Sequence, residues 1–196
     1  MMSQSTLPNP IAVVVQVTQV FEQLNIPYLI GGSFASMIYG MIRTTQDVDI
    51  LAEIRFSDAE QFIKALVNDF YIDEKMIVDA IQYQSRFNII HRSTMFKVDV
   101  FVASGSAFHK SELKRAIKEV ISKDLNISAY FATAEDTILA KLEWFHLGGE
   151  ISERQWRDIL GILRIRANNI DLDYLRKWAD RMSLRELLEK ALVESA

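Results

Sequence analysis

Residues 28–51 read YLIGGSFASMIYGMIRTTQDVDIL, and the reading of this stretch decides the fold. An apolar triplet stops at Gly31 and Gly32, a helix-like run starts at Ser33, and the polar link RTTQ leads into the β-favouring run DVDILAE. The pattern predicts strand, short helix, strand. In the second strand successive side chains alternate faces, so Asp47 and Asp49 share one face while Val48 and Ile50 turn to the core. The two Cα atoms then lie about 7 Å apart. Like charges that close raise one another's pKa or demand a cation, and a hard divalent metal with oxygen ligands is the natural neutraliser.

Ahead of this stretch, IAVVVQVTQVFEQLN puts Val13, Val17, Val20, Phe21 and Leu24 on one helical face, and Asn25 with Pro27 ends the helix. After it, SDAEQFIKALVNDF predicts a helix capped by Ser57, with Phe62, Leu66 and Val67 as its apolar repeat. KMIVDAIQYQ predicts another short helix. RFNIIHR and MFKVDVFVA, split by Ser93 and Thr94, predict an antiparallel pair of strands whose second member carries Asp99 between Val98 and Val100. EVISKDLNISAYFA predicts a further small hairpin.

If the Asp99 strand lies beside the Asp47 strand, three carboxylates converge. Such a cluster holds one or two Mg²⁺, and paired metals stabilise attacking and leaving oxygens in phosphoryl chemistry. Gly31, Gly32 and Ser33 add backbone amides that can approach a phosphate closely, and a hydroxyl. Taken singly, a glycine pair before a helix is also a plain turn, and Asp-x-Asp is also a solvated strand edge. Their order and spacing favour the site.

From Thr133 onward the pattern is helical. TAEDTILAKLEWFHLGG opens on a Thr-x-x-Asp arrangement like a capping box and closes on a glycine pair. SERQWRDILGILRIRAN, DLDYLRKWADRM and SLRELLEKALVESA follow with a cap candidate each. The expected organisation is a core over 1–132 and a helical region over 133–196 packed on it, with no repeat and no low-complexity linker between them. Lys141 flanks the stripe of Ile138, Leu142 and Phe145, a position that faces either a cleft wall or solvent. Asp158 lies away from Trp156, Ile159, Leu160 and Leu163. Arg154, Arg157 and Arg164 share a face that either holds phosphates or an RNA acceptor or, the favoured reading, is solvated and paired with Glu150 and Glu153. Phe34, Tyr39, Trp144 and Trp156 are expected in the core, and His146 at a helix C-terminus.

Composition sets limits. A formal net charge of −4 over 196 residues argues against broad coating of a nucleic-acid backbone. The chain has no cysteine, which excludes disulfides and thiolate metal sites. His91, His109 and His146 show no HExxH spacing, and there is no Gly-Lys-Ser/Thr phosphate loop. No apolar run approaches the roughly 20 residues that span a bilayer, and the first residues lack a basic secretory start. The expectation is a soluble, cytoplasmic protein without a membrane partner.

The ordered set GGS (31–33), DVDI (47–50) and VDVF (98–101) resembles the DNA polymerase β-like nucleotidyltransferase superfamily. RTTQDVDI looks like the Arg-x-Thr-x-Asp-x-Asp form of minimal nucleotidyltransferases and of AbiEii-type abortive-infection toxins, and EDTILAKLEWF with RDIL looks like their helical half. The resemblance spans roughly residues 26–165. It implies an α+β nucleotidyltransferase fold, a mixed β-sheet flanked by helices with a C-terminal helical region. It implies Mg²⁺ on Asp47, Asp49 and Asp99, with Asp99 as third ligand or general base. It places Gly31, Gly32, Ser33 and Arg43 on the nucleotide, Gly32 and Ser33 at the triphosphate, and Lys141 and Asp158 in the catalytic set. The implied reaction moves an NMP from an NTP to an acceptor hydroxyl on tRNA or protein, with an antitoxin as partner. The alternatives are an antibiotic-type small-molecule adenylyltransferase and a non-catalytic nucleotide-binding module.

Overall fold

The computed structural model describes residues 10–39, 46–122 and 127–195. In chain order the elements are α1 (Pro10–Gln23), β1 (Tyr28–Ile30), α2 (Gly32–Ile38), β2 (Asp47–Ala52), α3 (Phe56–Leu66), β3 (Phe70–Tyr71), α4 (Glu74–Tyr83), β4 (Arg86–His91), β5 (Lys97–Val102) and α5 (Ala107–Arg115). They continue with β6 (Ile117–Ser122), β7 (Ile127–Phe131), α6 (Ala134–Leu147), α7 (Glu153–Arg166), α8 (Leu172–Arg181) and α9 (Arg185–Ser195), with a 3₁₀ turn at Ala167–Asn169. The described residues form two compact units: 10–30 with 46–131, and 31–39 with 132–195.

The first unit is built on a mixed seven-stranded sheet of order β3-β4-β5-β2-β1-β7-β6. β2 runs parallel to β5 and β1 parallel to β7, while the other neighbours are antiparallel. The expected pairing of RFNIIHR with the Asp99 strand is present as β4–β5, and the small hairpin as β6–β7. Alternation sorts the two faces. Val48, Ile50, Val98, Val100, Phe87 and Ile89 are all buried, and Phe87 on this face stacks edge-on against Phe62 of α3. Phe62 stacks on Phe21 of α1, which stacks on Tyr28 of β1. This aromatic chain joins helices to sheet, each ring burying a large apolar area.

α1 keeps a valine-rich sequence helical because tertiary burial outweighs the modest helix propensity of β-branched residues. Its buried arc takes in Val14, Val15 and Thr18 beside the expected Val13, Val17, Val20 and Phe21. Asn25 ends it in the left-handed region at φ 55, with Ile26 N–H donating to the Phe21 carbonyl. At α3 the cap is Arg55 rather than Ser57: the Asp58 carboxylate accepts from the Arg55 N–H at 2.9 Å. α5 begins at Ser106, whose hydroxyl accepts from His109 N–H.

The His109 Nδ1 accepts from both N–H and hydroxyl of Ser104 at 3.0 Å, and burial pushes the imidazole below the ordinary histidine range. The unfolded chain therefore binds this proton more readily than the folded one, so stability falls as pH drops through the ordinary histidine pKa of about 6.5. Asn in place of His109 keeps an acceptor for Ser104 and cannot titrate. The drop in melting temperature from pH 7.5 to 5.5 is expected to be smaller in His109→Asn than in wild type, and an equal drop would contradict this account.

The second unit is helical. α6 packs against α2, α7 and α8, and α9 against α7 and α8. Ile138, Leu142, Phe145, Ile159, Leu163, Leu175 and Leu188 form its core. Trp144, expected inside, is 48% exposed. It lies about 200° round the helix from Leu142, opposite the buried stripe. Trp156 is half-buried, tilted against Phe145, and donates its indole N–H to Glu194. The expected arginine pairing is also different: Arg164 donates to the Glu194 carbonyl, and Glu150 accepts from His146 in the last turn of α6. Phe34 and Tyr39 are buried as expected. Among the described residues no helix is long and apolar enough to cross a membrane.

Candidate active site

On the sheet unit, β2 and β5 lie side by side in parallel with Asp49 directly opposite Asp99 and Asp47 opposite Lys97. Paired residues on neighbouring strands project to the same face. The three aspartates therefore stand on the face opposite Val48, Ile50, Val98 and Val100. Asp99 is buried at 7% exposure, and Asp47 and Asp49 are half-buried. Two carboxylates in register on adjacent strands repel, by about 0.2–1 kcal/mol for directly opposed like charges.

Two further polar residues join this face. Asn88 of β4 is the cross-strand partner of Asp99 on its other side. Lys97 sends its ammonium to Asp99 Oδ2 at 2.6 Å. The hydrogen bond to Asp99 holds the lysine above its ordinary pKa; desolvation opposes this, and the charges of Asp99, Asp47 and Asp49 reinforce it. Lys97 was legible in principle, since it stands two residues before Asp99 and so shares its face. Asn88 becomes visible only through the β4–β5 register.

All three carboxylates supply hard oxygen donors, the set that suits Mg²⁺. Lys97 is paired with Asp99, and among the described residues no group of three His, Cys, Asp or Glu side chains is arranged to hold a metal ion. The ammonium takes the part of a cation on Asp99. The donor chemistry thus suits a divalent ion, while one of the three carboxylates is paired with a lysine. The sheet unit also carries a crevice at the carboxyl ends of β2 and β5, lined by Ile54, Ile81, Val102 and Leu113, and none of the three aspartates lines it.

On the helical unit, Gly31 precedes α2 and Gly32 sits at φ 56, a left-handed conformation that glycine adopts without strain. The Ser36 hydroxyl donates back to the Gly32 carbonyl. Arg43 lies outside the described residues. Lys141 and Asp158, assigned together from the sequence, do meet: Nζ and Oδ2 are 2.9 Å apart with side chains only 10% and 9% exposed. Asp158 is buried because α7 packs between α6 and α9, which widens its buried arc beyond the stripe of Ile159, Leu160 and Leu163.

A second buried polar group on α6 was not expected. Asp136, with no exposure, accepts from the Thr133 hydroxyl at 2.7 Å and from the Tyr174 hydroxyl at 2.6 Å. The Thr-x-x-Asp signature is thus a real cap, since Thr133 Oγ1 accepts from Asp136 N–H, but its carboxylate also ties α6 to α8. A hydrogen bond to a charged group contributes about 1.5–3 kcal/mol. Tyr174→Phe is expected to lose about that much in a denaturant titration, and an unchanged midpoint would contradict it.

Among solved structures, the chain is similar to an antigenic nucleotidyltransferase-like protein from Paracoccidioides brasiliensis, at 16% identity and a TM-score of 0.53, covering 93% of this chain and 91% of that one. It is also similar to the antibiotic-resistance factor ANT(2'')-Ia, at 10% identity and a TM-score of 0.53, covering 94% and 93%. No protein-family model matches the chain, and no curated protein sequence does. The likeness establishes the fold: a mixed sheet flanked by helices, with a helical C-terminal region, as in nucleotidyltransferase-like proteins.

Proposed function

We propose that the chain is a Mg²⁺-dependent nucleotidyltransferase whose acidic row, Asp47, Asp49 and Asp99, is the reacting centre. The observation that carries this reading is the in-register placement of Asp49 beside Asp99, with Asp47 on the same face. A sheet gains no stability from opposed carboxylates, so their function is to hold positive charge. Bound there, Mg²⁺ would supply Lewis-acid stabilisation of the charge that develops on the phosphoryl oxygens. Asp47 and Asp49 would hold and orient it. Asp99 serves as third ligand or as base, its carboxylate taking the proton of the acceptor hydroxyl. The acceptor oxygen then bonds to the α-phosphorus of the NTP, the bond from that phosphorus to the bridging oxygen breaks, and pyrophosphate leaves. Such a reaction needs positioning and electrostatics rather than a protein nucleophile.

The same reading assigns the Gly31–Ser33 turn and Arg43 to the nucleotide and gives Lys141 and Asp158 to the catalytic set. The RTTQDVDI motif supports a narrower kinship with AbiEii-type toxins, hence a tRNA or protein acceptor and an antitoxin partner in the cytoplasm. Incubating the full chain with α-labelled NTPs, Mg²⁺ and separate pools of RNA, protein and hydroxyl-bearing antibiotics tests it. Label on RNA or protein is expected. Label on an antibiotic replaces the acceptor and keeps the reaction. Nucleotide binding without label in any pool contradicts the enzymatic reading and leaves a binding module.

A further inference from the structure

Resting on the nucleotidyltransferase reading, we propose that Lys97 is the resident counter-ion of the acidic row. It occupies Asp99 until a divalent cation displaces it, and so sets the metal affinity of the site. Two observations carry this. The ammonium lies 2.6 Å from Asp99 Oδ2, within the field of Asp47 and Asp49. The lysine side chain is 41% exposed where that of Asp99 is 9% exposed, so the cation can leave toward solvent while the carboxylate stays in place.

Residue type supports displacement. A lysine ammonium is a point charge on a flexible stem, whereas an arginine fork grips a carboxylate through two parallel bonds. Net charge on the row changes from three negative to two when the lysine is counted. Metal binding is then an exchange, in which the ion gains Asp99 only as the ammonium lets go. The lysine keeps opposed carboxylates tolerable in the folded chain before metal arrives, and it raises the metal concentration needed to load them.

Mn²⁺ titration followed by electron paramagnetic resonance, on the full chain without nucleotide, tests this directly. Lys97→Met is expected to bind Mn²⁺ about tenfold more tightly than wild type, since one positive charge a few ångströms from a divalent ion is worth about that factor even at the dielectric of water. Lys97→Gln, polar and uncharged, provides a second variant with the same expectation. Lys97→Arg keeps a cation and is expected to show no gain. Equal or weaker Mn²⁺ binding by both uncharged variants, with wild type binding measurably, overturns the counter-ion role and leaves the nucleotidyltransferase reading intact. Absence of Mn²⁺ binding in every variant, also when an NTP analogue is added, overturns both.

Discussion

Asparagine at position 49 is expected to abolish nucleotidyl transfer and to stabilise the protein at once. On the proposed reading Asp49 would contribute its carboxylate to the ion that neutralises developing phosphoryl charge, and the amide of asparagine is a neutral, weaker ligand. A loss of about 10³-fold in kcat/KM corresponds to about 4 kcal/mol of transition-state stabilisation, a reasonable share for one metal ligand. The same change removes one of two like charges opposed across the β2–β5 ladder. Relief of about 0.2–1 kcal/mol is expected, which for a chain of this size is at most roughly 4 °C in melting temperature. The two effects are expected to have opposite signs, since the row proposed to serve the reaction burdens the sheet. Transfer assays and thermal melts on Asp49→Asn check both. Retained transfer would remove Asp49 from the site. Lost transfer with a lowered melting temperature would give this carboxylate a structural task instead.

Breaking the Lys141–Asp158 pair is expected to be the most damaging single change to the helical unit. With side chains 10% and 9% exposed at 2.9 Å, Lys141→Met leaves a buried carboxylate without its ammonium partner. Such losses come to about 3–5 kcal/mol, or roughly 6–20 °C in melting temperature. Replacing both partners, Lys141→Met with Asp158→Leu, removes the buried charges together and is expected to recover most of that loss. The double-mutant cycle measures the coupling; additive losses would show that the two groups do not depend on each other. Transfer activity of the double variant then reports whether the pair serves the reaction as well as the fold.

Much of this was legible in the sequence, for identifiable reasons. Period-2 alternation in DVDI and KVDVF put the aspartates on one face and the valines on the other; the valines are buried and Asp47 and Asp49 half-buried, while Asp99, between two strands, is buried at 7% exposure. Glycines at 31 and 32 marked where the strand stops and the helix begins, and Gly32 takes a positive φ there. What local pattern cannot carry is register and surface. β3 has only Phe70 and Tyr71, too short to leave a period. α5 buries Phe108 and Glu112 among polar neighbours, so it shows no apolar stripe. Trp144 read as core because tryptophan usually is, yet its position on α6 faces away from the buried side. The grouping of residues 31–39 with 132–195 is a matter of long-range packing that no window of sequence contains.

The central claim is that Asp47, Asp49 and Asp99 together hold a divalent ion. The most direct measurement is anomalous diffraction from crystals grown with Mn²⁺ and a non-hydrolysable NTP analogue. The account predicts an anomalous peak at about 2.0–2.3 Å from carboxylate oxygens of at least two of the three aspartates, with the α-phosphate of the analogue on the same ion. A Mn²⁺ peak bound elsewhere on the chain, or an analogue seated with the acidic row still closed by Lys97 and metal-free, would contradict it.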